Sequence, residues 1–179
     1  WIELASRLGY DILTYKTIRS NAHSSHPWPN IVYIDENASI ESNAPIAYNP
    51  EAPSNIEKTS ITNSFGMPCQ SSDFLKKDIA RSKSLLTEGQ TLVVSIVGTP
   101  DTNRSLADDF VNTASLAMEC GADIIEANFS CPNVVGKEGS LYVDPDQIFQ
   151  IASKLTKTLG DTPLILKVGA FPSTALMEK

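Results

Sequence analysis

Short apolar runs alternate with helical patterns along this chain, and this alternation limits the possible folds more than any other feature. Strands are predicted near residues 11, 92, 124 and 164. The run Thr91–Val97 is apolar at almost every position, as expected for a strand that is covered on both faces. Helical patterns lie between the later runs, for example at Leu106–Cys120. Repeated strand-helix units predict a parallel sheet with right-handed crossovers.

The number of predicted strands indicates part of a larger architecture. An eight-fold (β/α)8, or TIM, barrel takes about 250 residues, whereas this chain has 179. We therefore predict the α/β class, with about half of such a barrel, its strands 2 to 5, in this chain. Residues 1–179 are expected to form one partial barrel domain with a long loop insertion at 21–60. A loop of that length is usually a lid, a binding excursion or a disordered insert.

Composition excludes several kinds of function. The chain is 41% hydrophobic and 20% charged, with a formal net charge of -7. An acidic chain without a basic tract argues against a nucleic-acid partner. No apolar run is long enough to span a membrane and the first residues do not resemble a signal peptide, so a soluble protein is expected. Three cysteines without a Cys-x-x-Cys pair argue against a disulfide framework and against a zinc site.

The stretch Ile124–Asn133 carries the strongest sign of a functional site. It begins as a buried strand and then turns polar around a proline, at the strand end where ligand chemistry collects in parallel α/β folds. Asn128 and Asn133 could read the edge of a planar polar heterocycle, because each carboxamide offers donors and an acceptor. The thiol of Cys131 lies between them. The alternative is a strand end with a half-buried cysteine and asparagines that cap a turn.

Lysines follow or interrupt two other predicted strands. Lys167 lies inside an apolar strand, where burial is costly without an acceptor, so we predict that it points toward an anion or an electron-rich ring at the barrel mouth. A lysine that snorkels to solvent is the alternative. Lys16 comes just after the predicted strand Tyr10–Tyr15, and by itself such a lysine is most often a solvated surface charge.

Two histidines, His23 and His26, lie in the long insertion. Their spacing could hold a metal, but no cysteine or carboxylate cluster accompanies them, which favours ordinary loop histidines. Gly66 lies beyond the insertion and breaks a short strand. It would let the backbone approach a ligand closely, although a plain turn needs the same residue.

Four separated motifs, taken together and in order, resemble the dihydroorotate dehydrogenases, which are flavin-dependent (β/α)8 barrels of pyrimidine biosynthesis. The motifs are Thr14–Thr17, Asn63–Pro68, Asn128–Asn133 and Leu166–Val168. The resemblance covers nearly the whole chain, except for the insertion, which is longer than the family usually carries. A cysteine at position 131 resembles the soluble first class of the family, since the membrane-associated second class has serine there.

The resemblance implies a role for each matching residue. Cys131 would be the general base that removes the C5 proton of dihydroorotate while FMN takes the hydride from C6. The residues implied to bind FMN are Lys16, Thr17, Ser95, Asn128 and Lys167, with Ser95 at a position where the family often has asparagine. The residues implied to bind the substrate are Lys16, Asn63, Ser64, Phe65, Gly66, Met67, Asn128 and Asn133. No metal is implied.

The resemblance also implies a cytoplasmic enzyme that forms a homo-oligomer, such as a dimer. It leaves the electron acceptor open among fumarate, nicotinamide and quinone. A flavin domain like that of dihydropyrimidine dehydrogenase is an alternative, although that family usually has histidine where this chain has Asn133. A second alternative is a non-catalytic half-barrel that serves as a binding or assembly module. The isolated chain is expected to be inactive.

Overall fold

The computed structural model describes residues 1–34, 47–55, 57, 59–99, 103–130 and 141–178. Its helices and strands follow the predicted alternation. In chain order they are α1 (Ile2–Arg7), β1 (Ile12–Ile18), β2 (Ile31–Ile34), β3 (Tyr48–Asn49), β4 (Ser60–Asn63), α2 (Ser72–Ser84), β5 (Thr91–Ile96), α3 (Leu106–Glu119), β6 (Ile124–Asn128), α4 (Pro145–Leu159), β7 (Leu164–Lys167) and α5 (Thr174–Met177).

The main sheet has four strands in the order β1-β5-β6-β7, and every neighbouring pair is parallel. The helices α2, α3 and α4 come between these strands in sequence, as crossover connections require. The predicted parallel α/β sheet is therefore confirmed. Within the described residues the sheet is open, with β1 and β7 at its two edges.

The core lies between the sheet and the helices that follow its strands. Val94 and Ile125 occupy neighbouring positions on β5 and β6, and both are fully buried. Phe110 of α3 packs edge-on against Phe129, with ring centroids 5.5 Å apart. Burial of each such side chain contributes about 1.5–3 kcal/mol, so this layer holds the polar ends of β5 and β6 in place.

Helix α4 begins and ends where the sequence predicts. The side chain of Asp144 accepts a hydrogen bond from the backbone N–H of Gln147, and Pro145 occupies the first helical position. Gly160 follows the last residue of the helix with a positive φ of 58°. Of the helices that the structure describes, none has the length and apolar character needed to span a bilayer.

The insertion contains more regular structure than the sequence predicts. Its residues Ile31–Ile34 and Tyr48–Asn49 form β2 and β3, which join β4 in a second, antiparallel sheet of order β3-β2-β4. Ile31 pairs with Asn63, and Ile34 with Ser60. Strand β2 pairs with β3 inside the insertion and with β4 at its end, and a reading of local composition could not detect either pairing.

The prediction that Lys16 lies just beyond a strand end is wrong. Strand β1 runs through Lys16 and Thr17 to Ile18. The register with β5 shifts within this stretch, because Tyr15 pairs with Val94 and Ile18 pairs with Ile96. Two residues of β1 therefore oppose the single residue Ser95, which is the arrangement of a β-bulge.

Candidate active site

The candidate site lies on the face of the main sheet opposite the helices, which we call the open face. Side chains alternate between the two faces of a strand. Since Val94, Ile96 and Ile125 belong to the buried core, the residues between them project to the open face. The register places Ser95 beside Glu126 and Asn128 beside Lys167. Polar side chains of three neighbouring strands thus collect at the carboxyl end of the sheet.

The bulge in β1 adds Thr17 to this group. In a regular strand, the neighbouring residues Lys16 and Thr17 would project from opposite faces of the sheet. The extra residue of the bulge interrupts this alternation. Instead, the hydroxyl oxygen of Thr17 lies 2.9 Å from that of Ser95. This bulge therefore brings the threonine of the Lys16-Thr17 motif to the open face.

A chain of side-chain hydrogen bonds fixes the orientation of Asn128. Its Nδ2 donates to Thr17 Oγ1 at 3.2 Å, and its Oδ1 accepts the backbone N–H of Ser130 at 3.2 Å. Asn128 and Ser95 are only 3% and 2% exposed. Because buried amide and hydroxyl groups are costly to leave without partners, the orientation of this carboxamide is set before any ligand binds. The hydroxyl of Thr17 bridges the side chains of Ser95 and Asn128.

The segment Asn63–Pro68, which we call the 63–68 loop, is held against this group. The ammonium of Lys16 donates to the carbonyl oxygen of Pro68 at 2.8 Å. The sulfur of Met67 lies 3.7 Å from Nδ2 of Asn128. Two of the predicted substrate-binding stretches, although distant in sequence, therefore meet at the ends of β1 and β6.

Met67 has a backbone conformation that side chains rarely adopt. Its φ is 53°, and the preceding Gly66 has a φ of 77°. Left-handed backbone at a non-glycine residue costs about 1–3 kcal/mol and persists where surrounding contacts hold it. The buried guanidinium of Arg19 supplies one such contact, since its Nε donates to the carbonyl oxygen of Met67 at 3.2 Å.

Lys167 has a carboxylate for its neighbour. Its ammonium nitrogen lies 3.4 Å from Oε1 of Glu126, and the two side chains are 44% and 16% exposed. The carboxylate balances the charge that a lysine brings into an apolar strand, while much of the lysine side chain stays accessible. Glu126 is therefore a charged neighbour of Lys167, and the orientation of the lysine toward a ligand at the barrel mouth stays a prediction.

The remaining predicted residues are less closely associated with this group. Asn63, Ser64 and Phe65 are exposed, at the end of β4 and just beyond it. Cys131 and Asn133 lie outside the described residues. The structure therefore joins the lysine strand, the 63–68 loop and Asn128, and it does not test the position of the thiol or of the second asparagine.

A cavity of about 1030 Å³ runs along the edge strand β1. Lys16, Thr17 and His23 line it on one side, and residues of α2 such as Phe74 and Asp78 on the other. Asn128 and Lys167 do not line it. The cavity therefore follows the open edge of the sheet and touches the candidate site at Lys16, Thr17 and Pro68.

On the helix side of β1, Tyr15 donates a hydrogen bond to the carboxylate of Asp78 in α2. Burial, this hydrogen bond and the charge of Asp78 all raise the pKa of the Tyr15 phenol above its ordinary value. A phenol that stays protonated remains a donor to Asp78 at any physiological pH. It thereby fixes the strand next to Lys16.

Within the described residues, no cluster of three or more His, Cys, Asp or Glu side chains could hold a metal.

Sequence reasoning missed Glu126 and Arg19. Glu126 could have been found, because a charged residue inside the apolar strand Ile124–Asn128 is the same signal that singled out Lys167. Arg19 follows a strand, where a charge is usually solvated. Only the fold shows that it is buried against the 63–68 loop.

The fold and the candidate site define an α/β protein with a parallel sheet and a cluster of polar side chains at the carboxyl ends of its strands. Comparison with known proteins identifies its relatives. The chain is 40% identical to a dihydroorotate dehydrogenase of Dictyostelium discoideum over 187 aligned positions, which cover 100% of this chain and 50% of that protein. The chain is therefore homologous to a dihydroorotate dehydrogenase along its whole length.

A second relative matches a shorter stretch. It is the catalytic subunit of a dihydroorotate dehydrogenase B (NAD(+)) of Maridesulfovibrio salexigens, 42% identical over 65 residues that cover 35% of this chain and 21% of that protein. No family model matches the chain. The chain spans about half the length of its Dictyostelium relative.

Proposed function

We propose that this chain is about half, strands 2 to 5, of an FMN-dependent (β/α)8 barrel that oxidises dihydroorotate to orotate in pyrimidine biosynthesis. The observation that carries the proposal is the convergence of Lys16, Thr17, Met67 and Asn128 at the carboxyl ends of β1 and β6. Homology along the whole chain to a protein named dihydroorotate dehydrogenase supports it.

The side chains of the open face fit a flavin. Lys16, Thr17, Ser95, Asn128 and Lys167 would hold it. A flavin ring offers carbonyl and amide groups to donors such as these, and an ammonium near its pyrimidine ring stabilises the reduced form. Bound FMN would supply the hydride acceptor. The prearranged amide of Asn128, fixed by Thr17 and Ser130, would orient the bound ring at little entropic cost.

The 63–68 loop, together with Lys16, Asn128 and Asn133, would bind dihydroorotate. Gly66 would contribute through its main chain, whose positive φ of 77° is unfavourable for a residue with a side chain. Cys131, acting as the thiolate, would take the C5 proton of the substrate while the C6 hydrogen leaves as hydride. A thiolate is required for this step, so activity should fall as acid protonates the thiol.

The test uses the full-length protein that carries this chain. Its absorption spectrum should show a flavin, and dihydroorotate added without oxygen should bleach that spectrum. Cys131→Ala should slow the bleaching by about 10²–10⁴-fold, the usual contribution of a general base. Cys120→Ala is the matched control, because Cys120 is buried at the end of α3 and should leave the bleaching rate unchanged.

Three results would contradict the proposal. A colourless full-length protein would exclude a flavin enzyme and favour a binding or assembly module. Preference for dihydrouracil over dihydroorotate would favour the dihydropyrimidine dehydrogenase type of flavin domain. Unchanged bleaching in Cys131→Ala would remove this thiol from the mechanism.

A cytoplasmic homo-oligomer, such as a dimer, is part of the same proposal, and light scattering of the full-length protein measures its state of association.

A further inference from the structure

The first part of the insertion packs directly on the 63–68 loop. The backbone N–H of His26 donates to the carbonyl oxygen of Phe65 at 3.1 Å, and the hydroxyl of Ser25 donates to the same oxygen at 3.1 Å. The backbone N–H of Ser64 in turn donates to the carbonyl oxygen of Asn30 at 2.8 Å. Segment 25–30 therefore follows the loop along its length and is bonded to it in both directions.

The imidazole of His26 fills the space that the absent side chain of Gly66 leaves. A Cβ placed on Gly66 would lie 2.4 Å from Nε2 of His26 and 2.6 Å from its Cδ2. The other ring nitrogen, Nδ1, lies 3.0 Å from the carbonyl oxygen of Ser64. Because a carbonyl oxygen only accepts, Nδ1 carries the proton and donates to it. The ring therefore both bonds to the loop and packs against it.

The opposite side of the loop is held from the main sheet. Gly66 and Met67 are consecutive residues with positive φ, a conformation that needs external contacts at the methionine. Arg19 binds the carbonyl oxygen of Met67, and Asn128 approaches its sulfur. His26 on one side and Arg19 on the other thus fix the path of the backbone between Ser64 and Met67.

We propose that His26 is a positioning residue for the backbone of residues 64–67, and that it sets where the main-chain groups of this loop meet the substrate. This inference rests on the proposed function, in which the loop binds dihydroorotate. The histidine acts through its Nδ1 donor, which bonds to the carbonyl oxygen of Ser64. It therefore acts on substrate binding and leaves the proton and hydride transfers unchanged.

Two substitutions separate the donor from the rest of the side chain. In His26→Asn the amide nitrogen can occupy the place of Nδ1, whereas in His26→Gln it reaches the place of Nε2. Both are tested in the full-length protein, with steady-state kinetics on dihydroorotate. We expect His26→Gln to raise KM about fivefold, as for one lost hydrogen bond, with kcat within about twofold of wild type. We expect His26→Asn to stay close to wild type in both constants.

A second measurement does not depend on activity. Amide hydrogen exchange, followed by mass spectrometry, should show faster exchange of residues 63–67 in His26→Gln than in wild type or His26→Asn. If KM and exchange are the same in all three proteins, or if His26→Asn shares the defect of His26→Gln, the proposal is wrong. If wild type does not oxidise dihydroorotate, the proposed function is wrong, and the exchange comparison alone decides whether His26 holds the loop.

Discussion

Thr17 shows how much of the site depends on a single residue. Its hydroxyl lies between two buried polar side chains, Ser95 and Asn128, and contacts both. A buried polar group that loses its partner keeps the cost of desolvation without the compensating bond. The orientation of the Asn128 amide therefore depends on a hydroxyl from a different strand, more than 100 residues away in sequence.

Thr17→Val should therefore destabilise the protein. Valine keeps the shape and the strand propensity but cannot bond to Ser95 or Asn128, so we expect a loss of about 1–3 kcal/mol in the free energy of unfolding. Denaturant titration measures it. Thr14→Val is the control, because Thr14 lies on the same strand and is exposed. Equal stability of the two variants would mean that the hydroxyl of Thr17 is not needed.

Gly66 should tolerate alanine poorly for two separate reasons. Its φ of 77° is unfavourable for any residue with a Cβ, and that Cβ would collide with the ring of His26. We expect Gly66→Ala to cost about 1–3 kcal/mol of stability. The loss in stability caused by Gly66→Ala should be smaller in a His26→Ala background, because the collision with the ring is then removed and only the unfavourable φ remains. A double-mutant cycle followed by thermal unfolding measures this coupling, and strictly additive effects would contradict the contact.

Cys120 should be an unreactive thiol. Its pKa is raised by burial and, in the same direction, by the neighbouring charge of Glu119, while Lys76 partly opposes the shift. Because the thiolate is the reactive form, iodoacetamide at neutral pH should leave Cys120 unmodified in the folded protein and modify it after denaturation, as mass spectrometry would show. The raised pKa also makes the stability of the fold depend on pH. The contribution of the Cys120 thiol to the free energy of unfolding is complete at pH values below its pKa in the unfolded chain, and it is lost as pH rises through its higher pKa in the folded protein. Rapid modification in the folded state would contradict this assignment.

At the scale of elements, helix α3 connects two strand ends through one carboxylate. Asp109 is 1% exposed. Its Oδ1 accepts from the hydroxyl of Ser20 at 2.7 Å, and its Oδ2 accepts the backbone N–H of Thr99 at 2.8 Å. Arg104 also donates to it at 2.6 Å. The carboxylate thus joins the segment after β1, the segment after β5 and the residues just before α3.

Two adjacent aspartates in α3 allow a matched test of this connection. Asp109→Ala leaves three donors, of which Ser20 is buried, without this acceptor, so we expect a loss of about 3 kcal/mol in unfolding free energy. Asp108 forms an exposed ion pair with Lys154 of α4, and Asp108→Ala should leave the unfolding midpoint nearly unchanged. Chemical denaturation of both variants measures the difference. A similar midpoint for the two would show that the buried connection does not stabilise the fold.

At the scale of the whole molecule, the main sheet has open edges at β1 and β7 within the described residues. Ile12 on β1 is 66% exposed, and Ile165 and Leu166 on β7 are 42% and 39% exposed. Exposed apolar residues on the edge strands of a parallel sheet are unusual, because such sheets are normally covered on both faces. The relative that matches the whole chain is about twice as long. In the proposed barrel, further strands would pair with β1 and β7 and cover these residues.

We therefore expect residues 1–179 alone to bind a hydrophobic dye strongly, to associate in solution and not to oxidise dihydroorotate. The full-length protein should bind little dye and be active. Dye fluorescence, light scattering and the flavin spectrum measured on the two proteins compare these states. A monomeric 1–179 protein that holds FMN and turns over would contradict the half-barrel proposal.

Much of the fold could be predicted from sequence because its signals are local. The apolar run of β5, the Asp144 cap with Pro145, and the glycine after α4 each act within a few residues. The carboxyl-end cluster followed from the same logic. The roles of Arg19 and His26 could not be predicted, because each depends on a partner 38 or more residues away.

Local periodicity and capping thus determined the strand-helix alternation and the parallel sheet, and they singled out Asn128 and Lys167 as candidate site residues. The tertiary structure alone decided the bulge that brings Thr17 to the open face, the pairing of β2 with β4, and the contacts on both sides of Gly66 and Met67. The physical reason is that register and long-range hydrogen bonds arise between distant segments. Their partners are chosen by packing, which no local pattern records.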